Sequence, residues 1–350
     1  MAPAVTAIIP TYNRPHLIGH SIESALAQTF DDLVVLVGDN GGSPLTEDIV
    51  RSYDDPRVRY IRHPSSLGGQ GNFLALVERA DTPLVASLHD DDSWEPDFLE
   101  KTVPLLEDQS ISIGFSDFWT VGTDGDRLVE HSEWLTRHSG RDHLVPGRLD
   151  LPREELLRCA VLRGASQPAY AGVVRRRAIL NTRFPPEVDP LYDLWLNYSV
   201  VMRGEGLAYV PERLTNYRVW PGSITAVGYG DELDAAYHHI IAENAELTDL
   251  VDDIERDWSS ERFRRGWNAL DDPTRKTWAQ AELRRATPGL SGPRWLAAEA
   301  AGRSELGWHT ARLARAGVRY VRGRRSDLLD SSGLPVGHMT PTDEAMRLRQ

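Results

Sequence analysis

Cysteine is nearly missing from this 350-residue chain, where Cys159 stands alone. One thiol can neither close an internal disulfide nor build a thiolate zinc site, so both are excluded and a reducing compartment is expected. Cys159 itself reads as a small buried apolar residue rather than a nucleophile. Lysine is almost as scarce, with Lys101 and Lys276 the only examples, so arginine carries nearly all the positive charge. Basic charge is also short overall: 39 Lys and Arg against 52 Asp and Glu give a formal charge of −13. Nucleic-acid binders draw most of their affinity from Lys and Arg on phosphates, so no nucleic-acid partner is expected and any phosphate must be met locally. No apolar run approaches the roughly 20 residues that cross a bilayer, and no basic-then-apolar leader opens the chain. The expectation is a cytoplasmic protein without membrane insertion. Neither an internal repeat nor a low-complexity tract is seen.

What is present is a regular alternation over the first 100 residues. VTAII (5–9), LVVLVG (33–38), VRYIR (58–62) and PLVASL (83–88) read as strands. Between them, LIGHSIESALAQTF, LTEDIVRSY and NFLALVERA carry apolar residues at helical spacing, the last after a glycine-rich turn, LGGQG (67–71). Continuously apolar strands alternating with helices predict a parallel sheet covered on both faces. In such sheets the ligand crevice lies beyond the carboxyl ends of the strands. The residues there are TYNR (11–14), GDNGG (38–42), RHPSSLGGQG (62–71) and HDDD (89–92). Three adjacent carboxylates repel one another, and a divalent cation bridging them to a phosphate would relieve that repulsion. Oxygen ligands suit Mg²⁺ or Mn²⁺. The plainer alternative is that Asp92 or Ser93 caps a helix beginning near Trp94 with Pro96 in its first turn.

The segments IIPTYNRPHLIGHSIESALAQTF, VLVGDNG and HDDDSWEPDFL resemble the inverting family 2 glycosyltransferases of the GT-A fold, over about residues 4–227. The resemblance implies an α/β fold, Rossmann-like, with a mostly parallel sheet and helices on both faces. It implies a nucleotide-sugar donor, UDP or dTDP, whose nucleotide is held by Pro10, Thr11, Tyr12, Asn13, Arg14, Asp39, Asn72 and Asp90. It also implies an Mn²⁺ or Mg²⁺ ion on Asp91, with Asp92 sharing it. His89 stands where many members carry the first acidic residue of the motif, which shifts or reduces the motif here.

An inverting reaction needs a base for the acceptor's proton. The stretch PPEVDPLYDLWLNYSVVM, followed by NYRVWPGS, resembles the family's later block and implies Asp193 as base, with Asp189 as the runner-up. Helix capping is the plain alternative for Asp193. A sugar and acceptor pocket is expected from Gln167, Tyr170, Gly172, Arg175, Trp195, Arg218 and Trp220. Arg14, Arg175 and Arg218 are candidate partners for the charge on the leaving diphosphate. Trp220 stands where many members have a metal-ligating His, and an indole N–H donates but cannot ligate.

Residues 120–150 read as an irregular, acceptor-facing loop or lid, with His131, His138 and His143 solvated. Three regions are expected: a catalytic domain at 1–227, a helical extension at 228–325 serving packing, a homodimer or the acceptor, and a tail at 326–350. The acceptor is a small molecule, glycan or peptide. A nucleotide-sugar binder that has lost catalysis is the competing reading, prompted by His89 and Trp220. A dinucleotide-dependent oxidoreductase is disfavoured, because PTYNRP follows the first strand where a Gly-x-Gly-x-x-Gly turn would be needed.

Overall fold

The computed structural model describes residues 4–138, 140–157, 159–160 and 171–220. The expected helical extension at 228–325 and the tail at 326–350 lie outside the described residues. The first half follows the alternation read from the sequence: β1 (Val5–Thr11), α1 (Ile18–Leu26), β2 (Leu33–Asp39), α2 (Pro44–Arg51), β3 (Val58–Arg62), α3 (Gly68–Arg79) and β4 (Leu84–Ser87). These four strands are parallel and lie in the order β3-β2-β1-β4. Every residue of β2, and all of β1 except Pro10, is buried, so helices must cover both faces. On one face Val5, Ala7, Ile9, Val35 and Val37 share a core with Ile18, Ile22 and Ala25 of α1. On the other, α3 lies so close that a Cβ on Gly38 would sit 2.8 Å from Leu76. Each fully buried Ile of this layer contributes about 1.5–3 kcal/mol of transfer free energy.

The second half is less regular. β5 (Ser93–Trp94), α4 (Phe98–Thr102), β6 (Ile111–Val121), α5 (Val129–His138), β7 (Gly147–Arg148) and α6 (Arg153–Leu157) come first. β8 (Gly172–Arg175), α7 (Arg176–Leu180), α8 (Tyr192–Met202) and β9 (Gly206–Arg218) follow. They extend the sheet to β3-β2-β1-β4-β8-β6-β9-β5, with β7 pairing β9. β8 runs antiparallel to both β4 and β6, while β9 is parallel to β6. The fold is thus a mixed sheet whose first half is purely parallel.

Three local expectations are corrected. The glycine run 68–71 is the first turn of α3 itself, not a loop before it. Gly68 has φ +75°, and a Cβ there would lie 3.0 Å from Asp189 Oδ2, so glycine is needed for conformation and for room. Ser93 and Trp94 pair with Asn216 and Thr215 of β9 instead of opening a helix, which starts only at Phe98. Residues 120–150 contain α5 and β7, and His131 is buried, with Nδ1 3.0 Å from Thr120 Oγ1. Burial lowers the His131 pKa to about 4. Cys159 is buried.

Candidate active site

Because β1 lies between β2 and β4, the chain ends leaving those three strands meet at one rim. Thr11 closes β1, Asp39 closes β2, and His89–Asp92 follow β4. Ser21 of α1 pins the acidic turn by donating to the carbonyls of His89 (3.0 Å) and Asp92 (2.8 Å).

The three aspartates have different partners. Asp90 accepts from Thr11 Oγ1 at 2.7 Å and from Arg14 Nη1 at 2.8 Å. Asp91 Oδ2 accepts from Arg14 Nη1 at 3.0 Å and from the indole N–H of Trp220 at 2.9 Å. Asp92 Oδ1 accepts the backbone N–H of Arg218 at 2.8 Å, so it anchors the end of β9 and caps no helix. Arg218 Nε donates to the Asp91 carbonyl at 2.9 Å, and its Nη1 donates to the carbonyls of Gly122 and Thr123. Arg14 also lies over the Trp220 ring, 5.5 Å from its centroid. Burial raises the carboxyl of Asp90, with Arg14 opposing. Burial likewise lifts Asp92 to about 6, against the pull of His89. On His89 burial alone would lower the imidazole, but Asp92, Asp91 and Asp193 outweigh it and hold it at about 9.

His89, Asp91 and Asp92 offer ligand atoms all within 4.8 Å of one another. Asp92 Oδ2 is buried, accepts no hydrogen bond, and has His89 Nδ1 3.5 Å away. A buried carboxylate oxygen with only His89 near it, beside a second carboxylate, fits a divalent cation. Sequence reasoning passed over His89 as a ligand and treated it as a defect in the motif. Its position directly after β4, at the head of the acidic run, was the available signal.

The neighbouring corner joins the loops after β1 and β2. Tyr12 is 52% exposed at the rim. Asn13 has φ +57°, and a Cβ on Gly42 would lie 2.7 Å from its N and Oδ1, so the loops after β1 and β2 interlock. Asp39 is fully buried and accepts from Tyr60 Oη at 2.7 Å and Gly42 N at 3.1 Å. Tyr60 is a partner the sequence did not disclose, since β3 read only as a strand.

Several expected site residues sit elsewhere. Asn72 is buried under β2, donating to Gly38 O at 2.8 Å and lying 3.0 Å from His63 Nε2, so its amide is spent on the scaffold. Arg175 pairs with Leu84 at the opposite end of β4. Its guanidinium donates to the carbonyls of Ile111, Leu106 and Asp108, making it a backbone clamp rather than a phosphate partner. Trp195 is buried and donates to Arg183 O at 2.7 Å. Asp189 accepts the N–H of Gln70 at 2.5 Å and so caps α3. Asp193 occupies the first turn of α8, where the backbone N–H groups of Leu194 and Asp193 reach its carboxylate. Burial raises its pKa, and His89 is close enough to oppose that. With Ser87, Gly172, Tyr192 and Asn197 it lines a cavity of about 20 Å³, room for about one water. Gln167 and Tyr170 lie outside the described residues.

The mixed sheet, parallel in its first half and followed at β4 by a turn of acids, has the architecture of the GT-A fold seen in the solved structures it superposes on. The family model described as Glycosyl transferase family 2 matches residues 6–158. The chain is 24% identical over 227 residues to the Escherichia coli UDP-Glc:alpha-D-GlcNAc-diphosphoundecaprenol beta-1,3-glucosyltransferase WfaP, covering 63% of this chain and 80% of that one. It is 27% identical over 152 residues to the putative teichuronic acid biosynthesis glycosyltransferase TuaG of Bacillus subtilis, taking in 42% of this chain and 60% of that one. Among solved structures, S. aureus TarS 1-349 in complex with UDP-GlcNAc superposes with a TM-score of 0.55 at 14% identity, covering 93% of this chain and 95% of that one. The mannosyltransferase PcManGT from Pyrobaculum calidifontis, in complex with GDP-Man and Mn²⁺, gives 0.50 at 17% identity, covering 92% and 88%. Residues 6–158 thus match the family 2 glycosyltransferase model, and the fold is that of the GT-A structures. No helix among the described residues is long and apolar enough to cross a membrane.

Proposed function

We propose that this protein transfers a sugar, with inversion, from a nucleotide-diphosphate donor, UDP or dTDP, to an acceptor nucleophile. The observation that carries the reading is the meeting of Thr11, Arg14, His89 and the three aspartates at the strand ends. Tyr12 offers its exposed ring to the base, and Asp39, held by Tyr60, closes the end of that subsite. Thr11 and Asp90 face the ribose. Asp91 and Asp92, with His89, would hold Mn²⁺ or Mg²⁺, which supplies positive charge against the departing diphosphate. Arg14 adds a second cation on the same side. Asp193, whose carboxyl pKa burial raises, takes the proton of the acceptor. Trp220 orients Asp91 through its N–H.

The bacterial relatives name polymer-building reactions, teichuronic acid biosynthesis and glucosyl transfer to a diphosphoundecaprenol-linked sugar. They support a glycan or glycan-precursor acceptor here. The test is release of nucleoside diphosphate from a panel of sugar nucleotides with and without Mn²⁺, in native protein, Asp91→Ala and Asp193→Asn. Turnover lost in both variants supports the reading. Native protein that binds donors yet never turns over leaves a binding protein in its place.

A further inference from the structure

The acidic run after β4 holds three aspartates, yet they do not offer three equivalent oxygens. Asp90 is committed on both of its own, Oδ2 to Thr11 Oγ1 at 2.7 Å and Oδ1 to Arg14 Nη1 at 2.8 Å. Asp91 takes the Arg14 and Trp220 donors on a single oxygen, Oδ2, so its Oδ1 carries no hydrogen bond among the described residues. Asp92 gives Oδ1 to the Arg218 backbone N–H at 2.8 Å, and its buried Oδ2 accepts none. Two carboxylates are therefore left to hold a cation, and the third ligand atom of the cluster is an imidazole nitrogen of His89.

The backbone places His89 there. Leu88 N–H donates to Ile8 O at 2.9 Å, which continues the pairing of β4 with β1. Asp92 N–H donates to His89 O at 3.2 Å, closing a turn whose first and fourth residues meet. That closure sets His89 Nδ1 3.5 Å from Asp92 Oδ2. Ser21 Oγ holds the carbonyls of both residues, at 3.0 and 2.8 Å, so the pair is fixed by the scaffold. Ions that bind nitrogen and oxygen at about 2.1 Å space neighbouring ligand atoms about 3 Å apart and opposite ones about 4.2 Å apart. The 3.5 Å gap lies between those values.

This donor set discriminates between cations. Mg²⁺ takes oxygen and gives up its waters reluctantly, whereas imidazole nitrogen favours first-row transition ions, with affinity rising along the row from Mn²⁺. Given the reading of this turn as the cation site of sugar transfer, on which the assignment rests, we infer that His89 selects the ion: it ligates through nitrogen beside Asp91 and Asp92, so that a first-row transition ion such as Mn²⁺ is taken in preference to Mg²⁺.

The experiment is Mn²⁺ titration of the full chain followed by electron paramagnetic resonance, alone and with UDP, with Mg²⁺ as competitor and spin-echo modulation recorded on the bound ion. Native protein should show nitrogen coupling to Mn²⁺. His89→Asp, which supplies an oxygen donor instead, should still bind Mn²⁺ but lose the coupling, and its preference for Mn²⁺ over Mg²⁺ should fall by about tenfold. His89→Gln, an amide without added charge, should lose the coupling too, which keeps the test open should a fourth carboxylate prevent folding. Bound Mn²⁺ without nitrogen coupling in the native chain, coupling or cation preference unchanged in the folded variants, or no Mn²⁺ binding at all would overturn the assignment. UDP binding to metal-free protein, read by saturation-transfer NMR, reports on the donor site separately. Nitrogen-coupled Mn²⁺ in a chain that ignores UDP would support His89 as ligand and overturn sugar transfer alone.

Discussion

The chain holds two clusters of buried carboxylate and arginine, and they differ in how fully their carboxylates are met. At the carboxyl ends of β1 and β4, three aspartates face Arg14 and His89, leaving Asp92 Oδ2 without a hydrogen bond. Between β6 and β9, Asp117 is saturated by Arg141, Thr136 and a backbone amide, with Arg213 3.8 Å from its Oδ2 and donating to Thr136 Oγ1. The first site is therefore short of positive charge, whereas Asp117 in the second is fully met. A buried pair met on both sides is costly to break by removing one partner, whereas a buried carboxylate oxygen without a hydrogen bond leaves room for a cation.

The largest expected effect breaks the first cluster's function. Asp91→Ala should lower turnover by about 10³-fold, in line with the loss of a principal group stabilising transition-state charge, while the protein stays folded; nucleoside diphosphate release with a melting curve checks both. Asp193→Asn should cost about 10²–10⁴-fold in kcat, the usual worth of a general base. Because burial raises the Asp193 pKa and a base must be ionised, the native rate should fall as pH drops, with a midpoint above the ordinary carboxylate range. That acid limb should vanish from the residual rate of Asp193→Asn.

The two clusters should also differ in what their loss does to the fold. Asp117→Asn leaves Arg141, 0% exposed at its side chain, without its counter-charge. It should destabilise by about 3 kcal/mol, the typical penalty for stranding half of a buried pair. Asp91→Asn removes a like charge beside Asp90 and Asp92 and should leave the melting temperature unchanged or higher. Denaturant unfolding of both variants decides whether the contrast holds. The smallest effect sharpens the choice of base: Asp189→Asn keeps an oxygen for Gln70 N–H, so stability should change by less than about 0.5 kcal/mol and kcat should stay within about twofold. A collapse of kcat in Asp189→Asn, with Asp193→Asn active, would reverse the assignment.

The first half of the fold was legible because its physics is local. β3 was read at its observed bounds, and β1, β2 and β4 within one or two residues, since strands buried on both faces write unbroken apolar runs. β6, β8 and β9 were not read as strands. Arg175 and Arg213 put charge into β8 and β9, and two register shifts near Asp117 break the period along β6. At the site, the run of acids at a strand end was visible in sequence, but the partners came from far along the chain: Arg218 and Trp220 reach the turn from β9 and just beyond. Asn72 and Arg175 show the converse. Each sits in a suggestive segment, yet each has its polar atoms spent on the scaffold, Asn72 on Gly38 O and His63, and Arg175 on backbone carbonyls, partners that no spacing rule would identify. Asp189 looked like a base because it precedes an apolar helix, and it caps a different one.

The central claim is that the acidic turn and the loops after β1 and β2 form one pocket in which a cation and a nucleoside diphosphate bind together. Calorimetric titration of UDP into the full chain, with and without Mn²⁺, tests it most directly when repeated on Asp91→Ala. The account expects Mn²⁺ to tighten UDP at least tenfold in the native protein and to leave Asp91→Ala unaffected. UDP affinity indifferent to Mn²⁺ in the native chain, or equally enhanced in the variant, would contradict it.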